Sequence, residues 1–393
     1  MKIILATLAI PPYTSGVATF TLNLAQQLSS KHQVIIISST SGKKPVVKTI
    51  NPRLKFYLFP GINITKPTKL TIAWPHNQKV EVLIKRFRPN IIHLQDFSPI
   101  CLSVLLSANN LKIPTLITHH FTAEHIFQIL IPAKKISNLL SYNSEACKLI
   151  YRLLRPIYNR CQLITVPNPK LIPLLQKAKF KPPLISIPNG IFTRNFTQKR
   201  PLKEILSKYN IQQTKIILFV GRLALDKNLH LLIEAFKTVH QFNPDTALVF
   251  VGDGNQKHQL ENLAFKLEIK PAVYFLGRID NQSAALSHLY NASFIYANPS
   301  IIENQSVAFI EAMVAGLPIV AANQLIQTSI IQPGKNGLLV EPNSSSSLAV
   351  ALQKLLSEPK LYRSISRFNR RLGSSFDIRL VAQQFLHIYQ SLL

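Results

Sequence analysis

Short β-type runs and helical stretches alternate along this chain in two successive series, and that alternation restricts the fold more than any other feature. Ile3–Ala6 and Val34–Ser38 read as buried strands, and Thr19–Leu28 between them sets Phe20, Leu24 and Leu28 at helical spacing. Further strands are expected at Ile91–Leu94, Thr115–Thr118 and Leu163–Val166, with long helical stretches between them, notably Ala133–Ile157. The second series places strands at Ile216–Val220, Leu248–Val251, Val273–Phe275, Phe294–Ala297 and Ile319–Ala321. Its helices are expected at Leu229–Phe242, Gln256–Glu268, Ser283–Tyr290 and Ser306–Ala315. Strands this apolar, alternating with helices, imply parallel sheets covered on both faces. Pro-rich linker sequence near Lys181–Pro188 separates the two series. The expected fold is α/β: two doubly wound, Rossmann-like domains facing across a cleft, with ligands at the carboxyl ends of the strands.

A chain of 393 residues suits two domains, and a hydrophobic share of 47% is ample for two cores and excludes a disordered chain. No apolar run reaches the ~20 residues of a membrane-spanning helix. The start, Met1-Lys2 followed by Ile3–Ile10, has the polarity of a signal peptide, but Pro11 and Pro12 follow at once and a buried first strand is the better reading. Cys101, Cys147 and Cys161 are odd in number and lack CxxC spacing. That argues against a disulfide framework or a cysteine zinc site, and fits a reducing compartment.

Charge is uneven. Lys and Arg exceed Asp and Glu by 28, with net +20 in residues 1–190 and +8 in residues 191–393. Such a field attracts nucleic acid, anionic lipid headgroups or phosphorylated ligands. No helix-turn-helix, RRM or zinc-finger pattern accompanies it, so a nucleic-acid partner is not expected.

Glycine is scarce, 12 residues in all, so it should be kept for positive φ or close backbone approach. Gly16 follows the first strand; Gly221, Gly252, Gly254 and Gly277 follow later ones; Gly316 ends a helix. Strand-to-helix junctions of this kind bind nucleotides and phosphates.

Four constellations carry chemistry. Glu303 follows Asn298-Pro299-Ser300, and Glu311 sits on the next helix among apolar neighbours. If that helix starts soon after Glu303, both carboxylates reach one ligand, and carboxylates suit sugar hydroxyls. Arg222 and Lys227 flank the end of one strand and the start of a helix near Asn228. A guanidinium fork and an ammonium together suit a diphosphate. Pro11–Val17 joins the first strand to the first helix, where its amides could close on the same phosphates. His93, Gln95 and Asp96 after one strand, with His119 and His120 after another, form no trustworthy metal-ligand spacing and read as the polar lining of a sugar pocket.

Together these motifs resemble the retaining glycosyltransferases of the GT-B fold, family 4. The resemblance covers nearly the whole chain and is strongest over Ile187–Val340: IPNGI (Ile187–Ile191), FVGRLALDKN (Phe219–Asn228), VFVGDG (Val249–Gly254), YFLGRI (Tyr274–Ile279), NPSIIENQSVAFIEAMVAGLPIVA (Asn298–Ala321) and NGLLVEP (Asn336–Pro342). HLQDFSP (His93–Pro99) and THHFTAEH (Thr118–His125) look closest to members that act on lipids.

The resemblance implies an N-terminal acceptor-binding domain over residues 1–186, a nucleotide-sugar-binding domain over 187–373, and a helix over 374–393 packing back on the first domain. It makes Arg222 and Lys227 the diphosphate-binding pair, Glu303 the contact to the donor sugar and Glu311 the holder of the ribose. His120 would line the reaction centre, and Gly16 would belong to the loop that closes on the diphosphate. Gly277 and Arg278 would meet the base, with Gly252, Asn304, Gln305 and Ser306 also near the donor. Neither metal nor cofactor is implied beyond the nucleotide sugar. Ser15, Asn304-Gln305-Ser306 and Asn323-Gln324-Leu325 depart from the family's usual glycines, which leaves an attenuated or inactive relative as one reading.

The implied activity is transfer of a hexose, from a UDP-glucose or GDP-mannose type of donor, to a lipid such as diacylglycerol or phosphatidylinositol. A soluble or polysaccharide acceptor is the alternative. The stretch Lys79–Arg88 is apolar at Val80, Leu83, Ile84 and Phe87 and basic at Lys79, Lys85, Arg86 and Arg88. It suits a helix on an anionic membrane surface, and the expected location is cytoplasmic, peripheral on the inner face of the membrane. A helix packed on the sheet has the same pattern.

Overall fold

The computed structural model describes residues 1–8, 10, 15–63, 71–74, 77–123, 126, 145–196, 200–280, 283–301, 303–324 and 330–393. They form two compact units, Met1–Gly190 with Ile378–Leu393, and Ile191–Asp377.

The first unit is built on an eight-stranded sheet. Its strands are β1 (Lys2–Ala6), β2 (Gln33–Thr40), β3 (Val46–Asn51), β4 (Leu54–Pro60), β7 (Ile91–Leu94), β8 (Thr115–Thr118), β9 (Leu163–Val166) and β10 (Leu184–Ser186). A separate two-stranded sheet holds β5 (Ile62–Asn63) and β6 (Thr71–Ile72). The order is β10-β9-β8-β7-β1-β2-β4-β3. Ile3, Ile4, Leu5 and Ala6 are fully buried, as a central parallel strand covered on both faces requires.

Two features depart from the expected pattern. The sheet is not wholly parallel, because β3 runs antiparallel to β4 with a bulge between Thr49 and Asn51. β3 is largely exposed, so it lacked the apolar signature of a buried strand. The Pro-rich stretch expected as linker contains β10, which extends the sheet beside β9. Edge strands tolerate the flanking prolines because one side of their backbone needs no partner. The long helical stretch from Ala133 is seen as a helix over Glu145–Tyr158, residues 133–144 lying outside those described.

Helix α1 (Gly16–Leu28) follows β1; Ser15 caps it by accepting from Ala18 N at 3.1 Å. Helices α2 (Asn77–Phe87) and α3 (Pro99–Asn110) flank β7, and Pro99 occupies the first turn of α3, where no backbone donor is missed. The last helix, Ile378–Ser391, packs on α1 with Phe385 and Tyr389 fully buried.

The second unit has a six-stranded, all-parallel sheet of β11 (Lys215–Val220), β12 (Thr246–Val251), β13 (Val273–Phe275), β14 (Ile295–Asn298), β15 (Ile319–Ala322) and β16 (Gly337–Val340). Its order is β13-β12-β11-β14-β15-β16. Alternate side chains fill two cores: Ile217, Phe219 and Phe250 with Leu232 and Phe236 on one face, Ile216, Leu218 and Val249 with Phe309 and Ile310 on the other. The chain leaves β11 in one direction and returns at β14 on its other side, which opens a crevice at their carboxyl ends.

Candidate active site

The strongest cluster of the second unit lies at that crevice. Lys227 sits in the single turn Leu225–Lys227 after β11, and Glu303 in the loop after β14. Lys227 Nζ donates to Glu303 Oε1 at 2.8 Å and lies 3.3 Å from Asp226 Oδ2. Arg222, more exposed, reaches the same Asp226 oxygen at 3.3 Å. Asn298 Nδ2 donates to Glu303 Oε1 at 3.3 Å, while Asn298 Oδ1 accepts from Ser300 N at 3.0 Å. Ser300 Oγ donates to the Asp226 carbonyl at 3.1 Å, tying the two loops together. Burial opposes the charge on Lys227, but Glu303 and then Asp226 outweigh it and leave the ammonium above its ordinary value. A cation and a carboxylate are thus held side by side at one strand-end crevice.

Glu311 is not on this cluster. It lies in the helix Val307–Ala315, 4% exposed, and its Oε2 accepts from Tyr290 OH at 2.8 Å. Burial raises its carboxyl to about 7, opposed by the Tyr290 bond. That helix begins at Val307, so Glu303 precedes it in a turn and the two carboxylates do not share a helical face. They share Tyr296 instead: burial first, then the charges of Glu303 and Glu311, push its hydroxyl well above the usual range. Sequence reading assigned Tyr290 and Tyr296 no part, because only folding brings them to the carboxylates. Asn304 is buried, and Gln305 and Ser306 are half-buried, in the turn before the helix; Ser306 stands at its N-cap position with extended backbone.

The glycines divide into two kinds. A Cβ on Gly252 would lie 1.8 Å from the Gly221 carbonyl oxygen, and one on Gly254 2.3 Å from that of Leu223. Adjacent loops approach so closely there that packing demands glycine, and at Gly252 the backbone φ of +142° demands it as well. Gly277, at φ +70°, has nothing within 4 Å of a built Cβ, and its carbonyl accepts from Gly252 N at 2.8 Å. Arg278 beside it is exposed.

In the first unit the polar residues at the ends of β7 and β8 separate by role. His93 is fully buried; Nδ1 lies 2.7 Å from Tyr389 OH and Nε2 2.6 Å from Thr118 Oγ1. His119 is equally buried, with Nδ1 2.9 Å from Tyr158 OH. These two rings hold the interior of the unit rather than line a pocket. Asp96 spans the point where strand order reverses between β1 and β7, accepting from Thr7 Oγ1 at 3.1 Å, Leu8 N at 2.7 Å and Ser98 N at 2.9 Å. It therefore anchors the loop leading from β1. His120 is 7% exposed, with Nε2 3.1 Å from Gln95 Oε1 and its ring against Phe20. Burial, then the neighbouring His119, lowers it to about 3. Gly16 is the first residue of α1, exposed, rather than part of the loop; residues 11–14 of that loop lie outside those described.

Helix α2 corrects the expectation of a membrane-inserting face. Val80 and Ile84 are fully buried and the helix packs on α3. Its apolar stripe belongs to the protein core. Lys79, Lys85, Arg86 and Arg88 are exposed, Lys85 pairing with Glu81 at 2.7 Å. Lys134 and Lys135, which add to the basic field, lie outside the described residues. Among the described residues, no helix is long and apolar enough to cross a membrane, and no group of three or more His, Cys, Asp or Glu is placed to hold a metal ion.

Comparison with known proteins agrees with this architecture. Residues 203–372 match the family model described as glycosyl transferases group 1, and residues 14–195 the model described as glycosyltransferase family 4. The chain is 25% identical to an alpha-monoglucosyldiacylglycerol synthase of Streptococcus pneumoniae, over 98% of this chain and 87% of that protein. It is 22% identical to the protein of the same description from Acholeplasma laidlawii, over 93% and 91%. Among solved structures, HepE of Anabaena in complex with UDP-glucose superposes with a TM-score of 0.76 at 18% identity, covering 100% of both chains. With two doubly wound units and both domain models matched in order, this chain belongs to the GT-B glycosyltransferases of family 4 and is a hexosyltransferase.

Proposed function

We propose that the protein transfers a hexose from a nucleoside diphosphate sugar to a membrane lipid of the diacylglycerol type, with retention of configuration and without a metal. The observation that carries the donor half is the Lys227–Glu303 pair, a diphosphate-seeking cation 2.8 Å from a hydroxyl-seeking carboxylate. UDP-glucose in HepE and the glucosyldiacylglycerol products of two relatives support this donor and acceptor class.

In this reading Lys227 and Arg222 take the diphosphate, Glu303 accepts from sugar hydroxyls, and Glu311 accepts from the ribose. Gly277 and Arg278 meet the base, with Gln305 and Ser306 presenting amides to the donor. The bond from the sugar's anomeric carbon to the diphosphate breaks, and its electron pair leaves with the diphosphate. Negative charge grows there while the sugar gains oxocarbenium character. Lys227 and Arg222, already oriented by Asp226, stabilise that charge without reorganising, the form of catalysis usually worth most. The acceptor oxygen bonds to the anomeric carbon on the face just vacated and passes its proton to the departing diphosphate oxygen. His120, held neutral, hydrogen-bonds the reacting sugar as a dipole and is not the base. Exposed Lys79 and Arg86 of α2 draw the protein to anionic lipid by charge, each worth about 1 kcal/mol near such a surface.

The test incubates the purified protein with radiolabelled UDP-glucose, UDP-galactose or GDP-mannose and vesicles containing diacylglycerol. Label in the organic phase is expected. Label that stays in water on a soluble acceptor would overturn the lipid half alone, and donor that never turns over would overturn the reading as a whole.

A further inference from the structure

At the opposite, amino-terminal ends of the first unit's strands lies a second cluster of unusual charge. A recess of about 560 Å³ opens there, bounded by Lys2, Lys31, His32, Arg53, Arg88 and Asn90. These residues come from β1, the turn after α1, the turn before β4, and the chain between α2 and β7, so folding alone assembles them. Among the described residues none of the four fixed cations is ion-paired to a carboxylate, although the chain pairs basic groups elsewhere.

Several of these side chains are held in place. Arg53 donates through Nη1 to the Ser30 carbonyl at 2.6 Å, and Lys2 Nζ lies 5.7 Å from the Phe87 ring centroid. Arg88 occupies the left-handed region at φ 54°, where glycine or asparagine would fit with less strain. Burial, then the surrounding positive charges including Lys31 and Arg53, holds the His32 imidazole below its ordinary value. Like charges gathered without counter-charge cost stability, and the cost is relieved when a polyvalent anion enters.

We propose that this recess binds a phosphate group, carried either by a soluble phosphate ester or by a phospholipid headgroup. Two guanidinium forks match phosphate oxygens two at a time, and two ammonium groups add charge that a monovalent ion would leave unbalanced. The recess is separate from Asp96, Gln95 and His120 at the carboxyl ends of the same sheet. At ~3.3 Å per residue the five-residue β1 sets Lys2 roughly 13 Å from Ala6, beyond which the Asp96-anchored loop begins.

The experiment titrates the full chain with inorganic phosphate at constant ionic strength, following the His32 imidazole resonances by NMR. In parallel it measures sedimentation with phosphatidylglycerol vesicles against phosphatidylcholine vesicles. The variants are Lys31→Gln/Arg53→Gln and, separately, Arg88→Gly, which removes a cation where φ favours glycine and so keeps the fold. Neither touches Lys79, Lys85 or Arg86 of α2. A saturable His32 shift in the native protein, weakened about tenfold or more in the variants, is expected. If vesicle binding is the same for all, the ligand is a soluble phosphate ester; if the variants also lose vesicle binding, it is a headgroup. Phosphate affinity and vesicle binding equal in the native protein and both variants would overturn the proposal.

Discussion

Lys227 Nζ and Glu303 Oε1 lie 2.8 Å apart although 76 residues separate them in the chain. The contact follows from strand order: β11 and β14 are neighbours, so the loops after them meet at their carboxyl ends. Both side chains are nearly buried, at 10% and 13% exposure.

Breaking this pair should therefore cost both stability and turnover. Lys227→Met leaves Glu303 without its cation and Asp226 with Arg222 alone, a loss of about 3–5 kcal/mol for a buried pair. Lys227→Met/Glu303→Gln should recover most of that stability in denaturant unfolding. Transfer should stay down by about 10²-fold or more in both, since the cation facing the diphosphate is gone. Recovery of transfer in the double variant would remove the pair from catalysis.

Glu311 links pH to stability with a definite sign. Its folded value near 7 lies above the ordinary 4.5, so the folded state holds the proton more tightly. The advantage is complete below 4.5 and is lost as pH rises through 7. Glu311→Gln should match the native protein near pH 4.5 and exceed it by about 3 kcal/mol at pH 8, at 1.36 kcal/mol per unit. If the carboxylate accepts from a ribose, UDP affinity of the native protein should rise through pH 7, and Glu311→Gln should abolish that rise. Calorimetry at pH 6 and pH 8 would check both.

His120 should leave no mark on the pH–rate profile between 5 and 8, because its imidazole stays neutral down to about 3. His120→Ala should lower kcat by about 10²-fold to 10³-fold while leaving the shape of the profile unchanged, the loss expected for one positioned hydrogen bond in a transition state. A limb near pH 6.5 that disappears in His120→Ala would show a titrating base instead.

Gly252 and Gly277 should respond differently to alanine. At Gly252 a Cβ would meet the Gly221 carbonyl at 1.8 Å, so the alanine variant should unfold at markedly lower temperature. Gly277 has open space, so alanine there should cost only the left-handed backbone, about 1 kcal/mol. A loss of donor affinity in Gly277→Ala larger than that strain would place a ligand against its backbone.

Fold class was legible in the chain. β7, β8, β9 and β13 stand where alternating apolar runs place them, and Leu229–Phe242 is the helix its periodicity predicts. Buried parallel strands and amphipathic helices write their burial into local composition, which is why these were legible. β3 and β10 were not, since an exposed edge strand and a strand among prolines carry no such signature. The site was legible as residue types: Arg222, Lys227, Glu303, Glu311 and His120 all stand out from their neighbours. What each one faces was decided only by tertiary structure. Tyr290 sets beneath Glu311, Asp226 gathers Arg222 and Lys227, and His93 turns inward to Tyr389 while His120 stays at the sheet's end. The pattern of α2 was equally ambiguous, and it is the burial of Val80 and Ile84 in the fold that decides it. Periodicity reports that a face is apolar, but only the arrangement of neighbouring elements determines what covers it, because burial free energy depends on area removed from water and not on what removes it.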